Sequence, residues 1–123
     1  MSRNILCWTD IPVVDLNRAM AFYTAILAEP VVKQSGEGWE FALLPHAGDG
    51  ASGCLSAMEE NQPTQTGPLI YLSVEGRLDA AVTAVRENGG QVLTEKHPIG
   101  PYGYRAVIVD SEGNRLALHS PTD

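Results

Sequence analysis

The feature that most limits how this chain can fold is that it repeats its own pattern. Residues 4–14 alternate loosely among β-forming side chains and include Pro12, which suits a strand end or a sheet edge. Asp15 can then cap a helix, because its carboxylate can accept from the unpaired amides of a first turn. Leu16, Ala19, Met20, Tyr23, Ile26 and Leu27 recur at helical spacing as far as Ala28, and Pro30 stops the run. Three strands are expected next, at 31–34, 39–44 and 53–58, with SGEG and HAGDGAS as turns. The order βαβββ begins again at LIYLSV. Its helix carries the stripe Leu78, Ala81, Val82 and Val85 and leaves at Asn88-Gly89-Gly90, where glycine permits a left-handed cap. Strands are expected at 91–96, 104–109 and 114–119.

Laid over one another, the halves keep one offset: 74 − 13 for Val13 and Val74, 72 − 11 for Ile11 and Leu72, and 116 − 55 for Leu55 and Leu116 all give 61. A module of this size buries little alone, so two should pack together. The expected architecture is an α+β fold of two tandem βαβββ modules, residues 1–60 and 66–123, in a single domain spanning 1–123. They form a curved mixed sheet with a concave pocket and helices outside.

Composition narrows the partners. Eight Lys+Arg against fifteen Asp+Glu leave a net charge of −7, which repels nucleic acid and anionic lipid. No apolar run approaches a membrane span, and MSRNILCWTD lacks the basic and apolar regions of a signal peptide, so a cytoplasmic location is expected. Cys7 and Cys54 lack CxxC spacing, so neither a disulfide framework nor a zinc knuckle is indicated. The glycines of HAGDGASG lack phosphate-loop spacing.

The stretches IPVVDLNRAMAFYTAIL and DSEGNRLALHS resemble the opening and the closing turn and strand of the vicinal oxygen chelate superfamily, which includes glyoxalase I, bleomycin-resistance proteins and extradiol dioxygenases. ENGGQVLTEKHPIGPYGYRAVIVD is similar to the stretch between them in small bacterial glyoxalase-related proteins. The resemblance implies the fold and not a reaction, since this fold hosts unrelated activities. In metal-dependent members a divalent ion is held from the first and fourth strands of each module, and that pattern falls here on Trp8, Ser56, Leu69 and Ala117. Trp, Leu and Ala offer no donor atom and a lone serine hydroxyl is a poor one, so no metal or other cofactor is expected.

Residues two apart on a strand share a face. That rule gives a pocket of Trp8, Asp10 and Pro12; Cys54, Ser56 and Met58; Leu69, Tyr71 and Ser73; and Arg115, Ala117 and His119. Trp8 and Tyr71 would supply flat surfaces, and Ser73, Asp10 and His119 directional hydrogen bonds. Trp8 and His119 are expected on opposite sides of one cavity. Asp10 and Arg115 could instead pair with each other inside the cup. Cys54 reads as the inward thiol, with Arg115 as its repeat mate, and Cys7 as facing the first helix. His46 and His97 read as surface loop residues, and PIGPYGYR as a connection that could act as a lid.

Two functions fit. One is a metal-free protein that binds a small organic molecule in its cup, as bleomycin-resistance proteins sequester a drug. The other is a glyoxalase-related lyase, isomerase or dioxygenase-like enzyme that uses His119, Asp10 or Tyr71 as acid and base, or a displaced metal. A homodimer is expected on the family resemblance, with interrupted sheet edges at Pro12 and Pro30.

Overall fold

The computed structural model describes residues 4–48 and 50–123. Its elements are β1 (Trp8–Pro12), α1 (Leu16–Leu27), β2 (Val32–Gly36), β3 (Trp39–Leu43), β4 (Ser52–Ser56), β5 (Tyr71–Ser73), α2 (Leu78–Glu87), β6 (Gln91–Pro98), a 3₁₀ turn (Gly100–Tyr102), β7 (Tyr104–Val109) and β8 (Arg115–Ser120). Two four-stranded mixed sheets result, ordered β1-β4-β3-β2 and β5-β8-β7-β6. The same strand order in both halves is the tandem βαβββ plan that the repeat predicts. Among the described residues the two sheets share no strand pairing. Among the described residues no helix is long and apolar enough to cross a membrane.

The local signals account for the elements. The Asp15 carboxylate accepts from the Arg18 amide at 3.0 Å and starts α1, which ends at Ala28 with φ 56°. At the end of α2, Gly89 takes φ +91° and the Gly90 amide donates to the Val85 carbonyl at 2.9 Å. A Cβ on Gly90 would lie 2.8 Å from the Phe22 ring and 2.7 Å from the Val109 carbonyl oxygen, so close packing as well as chain reversal requires glycine there.

One core joins the modules. Ile11, Phe22, Ile26 and Leu55 from the first share a cluster with Leu78, Val85, Ile108, Leu116 and Leu118 from the second. Each helix covers one face of its own sheet, and α1 packs against α2. The opposite sheet faces are left open, with Trp8 46% and Tyr71 47% exposed.

Polar groups lock this joint. Asp110 accepts from the amides of Glu112, Gly113 and Asn114 at 2.8–2.9 Å, and from the Tyr23 hydroxyl at 2.5 Å. The Glu112 carboxylate accepts from the Val14 and Asp15 amides at 2.8 Å and from the Arg18 guanidinium at 2.7 Å. The Asn114 amide group donates to the Pro12 carbonyl at 2.7 Å. The turn before β8 therefore holds the β1–α1 junction of the other module.

Three expectations change. β1 begins at Trp8, and Cys7 precedes it, exposed rather than facing α1. Leu69 and Met58 lie outside the strands, because β5 is three residues long and β4 stops at Ser56. The constant offset of 61 also drifts. β1 pairs Ile11 with Leu55, and β5 pairs Leu72 with Leu118, so the first strands differ by 61 but the last by 118 − 55 = 63. Residues inserted in the second module do not cancel before β8. A slip of two preserves strand parity, so the assignment of faces survives it.

Candidate functional site

The register of each sheet places the open-face side chains in rows. On the first sheet Asp10, Cys54, Leu43 and Val32 lie side by side, and beyond them Pro12 and Ser56. The Trp8 indole N–H donates to Asp10 Oδ1 at 3.0 Å, and the Cys54 thiol donates to the same oxygen at 3.3 Å. Burial, then the hydrogen bond and charge of Asp10, push the Cys54 thiol up to about 11. It is therefore neutral near pH 7, and among the described residues its hydrogen-bond partner is a carboxylate rather than a cation that would make it a nucleophile. Ser56 is buried, and its hydroxyl has no hydrogen-bond partner among the described residues.

On the second sheet one row reads Ser73, His119, Arg105, His97, and the row beside it Tyr71, Ala117, Val107, Thr94. A cavity of about 440 Å³ opens here, lined by Tyr71, Ile99, Tyr102 and His119. The His119 and Tyr71 rings stand edge to face at 6.3 Å. His119 Nε2 lies 2.6 Å from the Tyr102 carbonyl oxygen. Since a carbonyl only accepts, Nε2 carries a proton, and in the neutral ring Nδ1 is the free acceptor. The same bond ties the PIGPYGYR loop to the cavity wall, joined by the Ile99 amide donating to the Gly103 carbonyl at 2.9 Å.

The expected pocket thus divides in two. Trp8, Asp10, Pro12, Cys54 and Ser56 stand on one sheet, and Tyr71, Ser73, Arg115, Ala117 and His119 on the other. The cavity that His119 lines has Tyr71 and Tyr102 as its aromatic walls, and Trp8 does not line it. Asp10 and Arg115 do not pair, since the Arg115 guanidinium donates to the Gly67 carbonyl at 2.9 Å and its Nε is buried without a partner. By the pairing, the repeat mate of Cys54 is Ala117, not Arg115, and the mate of Ser56 is His119. His97 is a half-buried residue of β6, not a loop residue, and accepts from Arg105 Nε–H at 3.1 Å.

Several face residues escaped the sequence reading. Trp39 and Phe41 stack at 5.6 Å on β3, with the Trp39 indole over Gly36, where a Cβ would meet it at 2.4 Å. Arg105 lies on β7. Alternation in WEFAL and YRAVIV could have found them. His97 could not be found so, because β6 shifts register between Val92 and Thr94 and again between Thr94 and His97.

The family-implied metal does not fit these residues. Trp8, Leu69 and Ala117 offer no donor, and the fourth position is Ser56 by the sequence offset or Cys54 by the register. Among the described residues no three His, Cys, Asp or Glu side chains gather into a metal-binding group.

The profile of the Glyoxalase/Bleomycin resistance protein/Dioxygenase superfamily matches residues 5–118, and the chain belongs to that family. It is similar to a glyoxalase/bleomycin resistance protein from Albidiferax ferrireducens, with TM-score 0.74 and 20% identity over 95% of this chain and 98% of that one. Glyoxalase I from Zea mays matches with TM-score 0.67 and 21% identity over 94% of this chain but 45% of its own. CFP32 of Mycobacterium bovis, named as a candidate glyoxylase, is 28% identical over 90% of this chain. The chain spans 43% of the length of that curated relative.

Proposed function

We propose that the protein binds a small organic molecule between two open sheet faces, without the family's divalent metal. The observation that carries this reading is the character of those faces. They leave Trp8, Trp39 and Tyr71 46–54% exposed on the faces that also carry Asp10 and His119, while three of the four inferred metal positions, Trp8, Leu69 and Ala117, hold side chains that cannot ligate. Aromatic surface with a few polar groups is the composition of a small-molecule site.

The two faces lie on separate sheets, so a second copy of the chain is the natural lid, with the first module of one copy facing the second module of the other. Light scattering should give a homodimer at micromolar concentration. A monomer that still binds ligand would overturn this arrangement.

A thermal-shift screen of small organic molecules on protein purified without added metal tests the whole reading. Stabilisation by some of them, undiminished by chelator, is expected. Trp8→Ala should weaken binding through lost contact area, and His119→Ala by only about 0.5–1.5 kcal/mol, the net contribution of one hydrogen bond. One tightly held metal ion per chain in elemental analysis would sink the metal-free assignment.

One observation favours a second, enzymatic reading as a glyoxalase-related lyase, isomerase or dioxygenase-like protein. The His119 tautomer leaves Nδ1 free beside the cavity, which is what a general base requires. In that case His119→Ala would lower turnover about a hundredfold or more while changing affinity little.

A further inference from the structure

We infer that the open face of the second sheet carries a recognition site for the carboxylate of a planar organic acid, centred on Arg105. The inference rests on the small-molecule reading above and names the ligand class. Arg105 is half-buried, and both of its side-chain partners are neutral. Its Nε–H donates to His97 Nε2 at 3.1 Å, and its Nη1 donates to the Tyr71 hydroxyl. His97 adds no charge of its own. Its Nδ1 lies 2.9 Å from the Glu95 carbonyl and so carries a proton, while its Nε2 accepts from Arg105, which together define a neutral imidazole. The nearby Glu95 carboxylate is engaged by Arg86 instead.

Among the described residues, no carboxylate forms an ion pair with Arg105 or with Arg115 on the same face. The chain has fifteen acidic residues against eight Lys+Arg, yet the polar partners of these two arginines are His97, Tyr71 and the Gly67 carbonyl. A guanidinium that is partly withdrawn from water and lacks an anion is costly, and a ligand anion removes the cost. Arg105 is also held in place: Tyr71 and His97 occupy Nη1 and Nε, and its Cζ lies 5.9 Å from the centre of the Tyr71 ring. This leaves Nη2 and the second N–H of Nη1 for a carboxylate, which can accept from both at once in the forked geometry by which arginine binds it.

The adjoining cavity supplies the rest of the ligand. Its walls are Tyr71, Tyr102, Ile99 and His119, and its volume of about 440 Å³ suits a single flat ring system. Arg105 does not line the cavity itself, but it donates to the Tyr71 hydroxyl and pairs across the strands with His119, both of which do, so the carboxylate of a ring held against the tyrosines would reach it at the cavity rim.

Calorimetric titration of the full chain with benzoate and 2-naphthoate, each against its primary amide, tests the assignment. The acids should bind about tenfold more tightly than the amides, as a charge-assisted bond exceeds a neutral one. Arg105→Gln should abolish that preference. Arg105→Lys, which keeps the charge and loses the fork, should retain part of it, and circular dichroism should report an unchanged fold for both. Equal binding of acid and amide by the native chain would overturn the anion site and leave the pocket standing, as would a preference that survives Arg105→Gln. Binding of neither probe would overturn both. A preference that emerges only after Asp10→Asn would assign the guanidinium to an acid of a second copy and overturn the ligand site.

Discussion

At the scale of single residues, environment decides reactivity more than identity does. The chain has two thiols, one exposed before β1 and one buried beside a carboxylate. Cys7 should react with a disulfide reagent within minutes near pH 8, and Cys54 far more slowly, because burial and Asp10 hold its thiol up to about 11. Asp10→Asn should accelerate Cys54 selectively. Equal rates for both thiols in the native protein would contradict that geometry. Glu112 gives a second test. Burial works to raise its pKa, but the hydrogen bonds from Arg18, the Asp15 amide, Ser111 and the Val14 amide outweigh it and hold the carboxyl at about 2. Since the folded value lies below the ordinary one, this contribution is complete above about pH 4.5 and is lost as pH falls towards 2. Denaturant titrations should show Glu112→Gln less stable by about 1.5–3 kcal/mol at pH 7, with the gap closing below pH 4. A gap independent of pH would remove the charge from the account. The faces of Trp8, Asp10, Tyr71 and His119 could be read from alternation alone. The neighbours of Cys54 and Arg105 could not, because hydrogen bonds across strands depend on register.

At the scale of elements, the sequence shows where helices and strands begin far better than how strands align. Asp15, Pro30 and the Asn88-Gly89-Gly90 signal act within a few residues of themselves, and α1 and α2 end where they direct. Register instead depends on every insertion between two paired strands. The repeat therefore reads true at β5 and slips by two at β8, exchanging Ala117 for His119 as the mate of Ser56. Bulges in β6 had the same effect on His97. The end of α1 carries its own prediction. Ala28 is the one non-glycine among the described residues with positive φ, at 56°, a conformation that a Cβ disfavours. Ala28→Gly should raise stability by about 0.5–1 kcal/mol. A lower melting temperature for the variant would mean that the alanine methyl contributes packing that outweighs the strain.

At the scale of the whole molecule, two modules with the same strand order are joined back to back through their helices and through the Asp110–Asn114 turn. The covalent connection between them is a different matter. Residues 64–68 are exposed, while the Thr64 carbonyl accepts from the Arg115 amide at 3.1 Å. Proteolytic nicking in this stretch should leave two fragments that travel as one particle in size-exclusion chromatography and separate only in denaturant. Fragments that part under native conditions would show the peptide link to be essential. If they hold together, the joint is in effect an interface between two subunits that happen to share a backbone. The halves could then be made as separate polypeptides and mixed, so that a variant first module and a native second module meet in one particle. Each open face could in this way be altered without touching the gene segment that encodes the other.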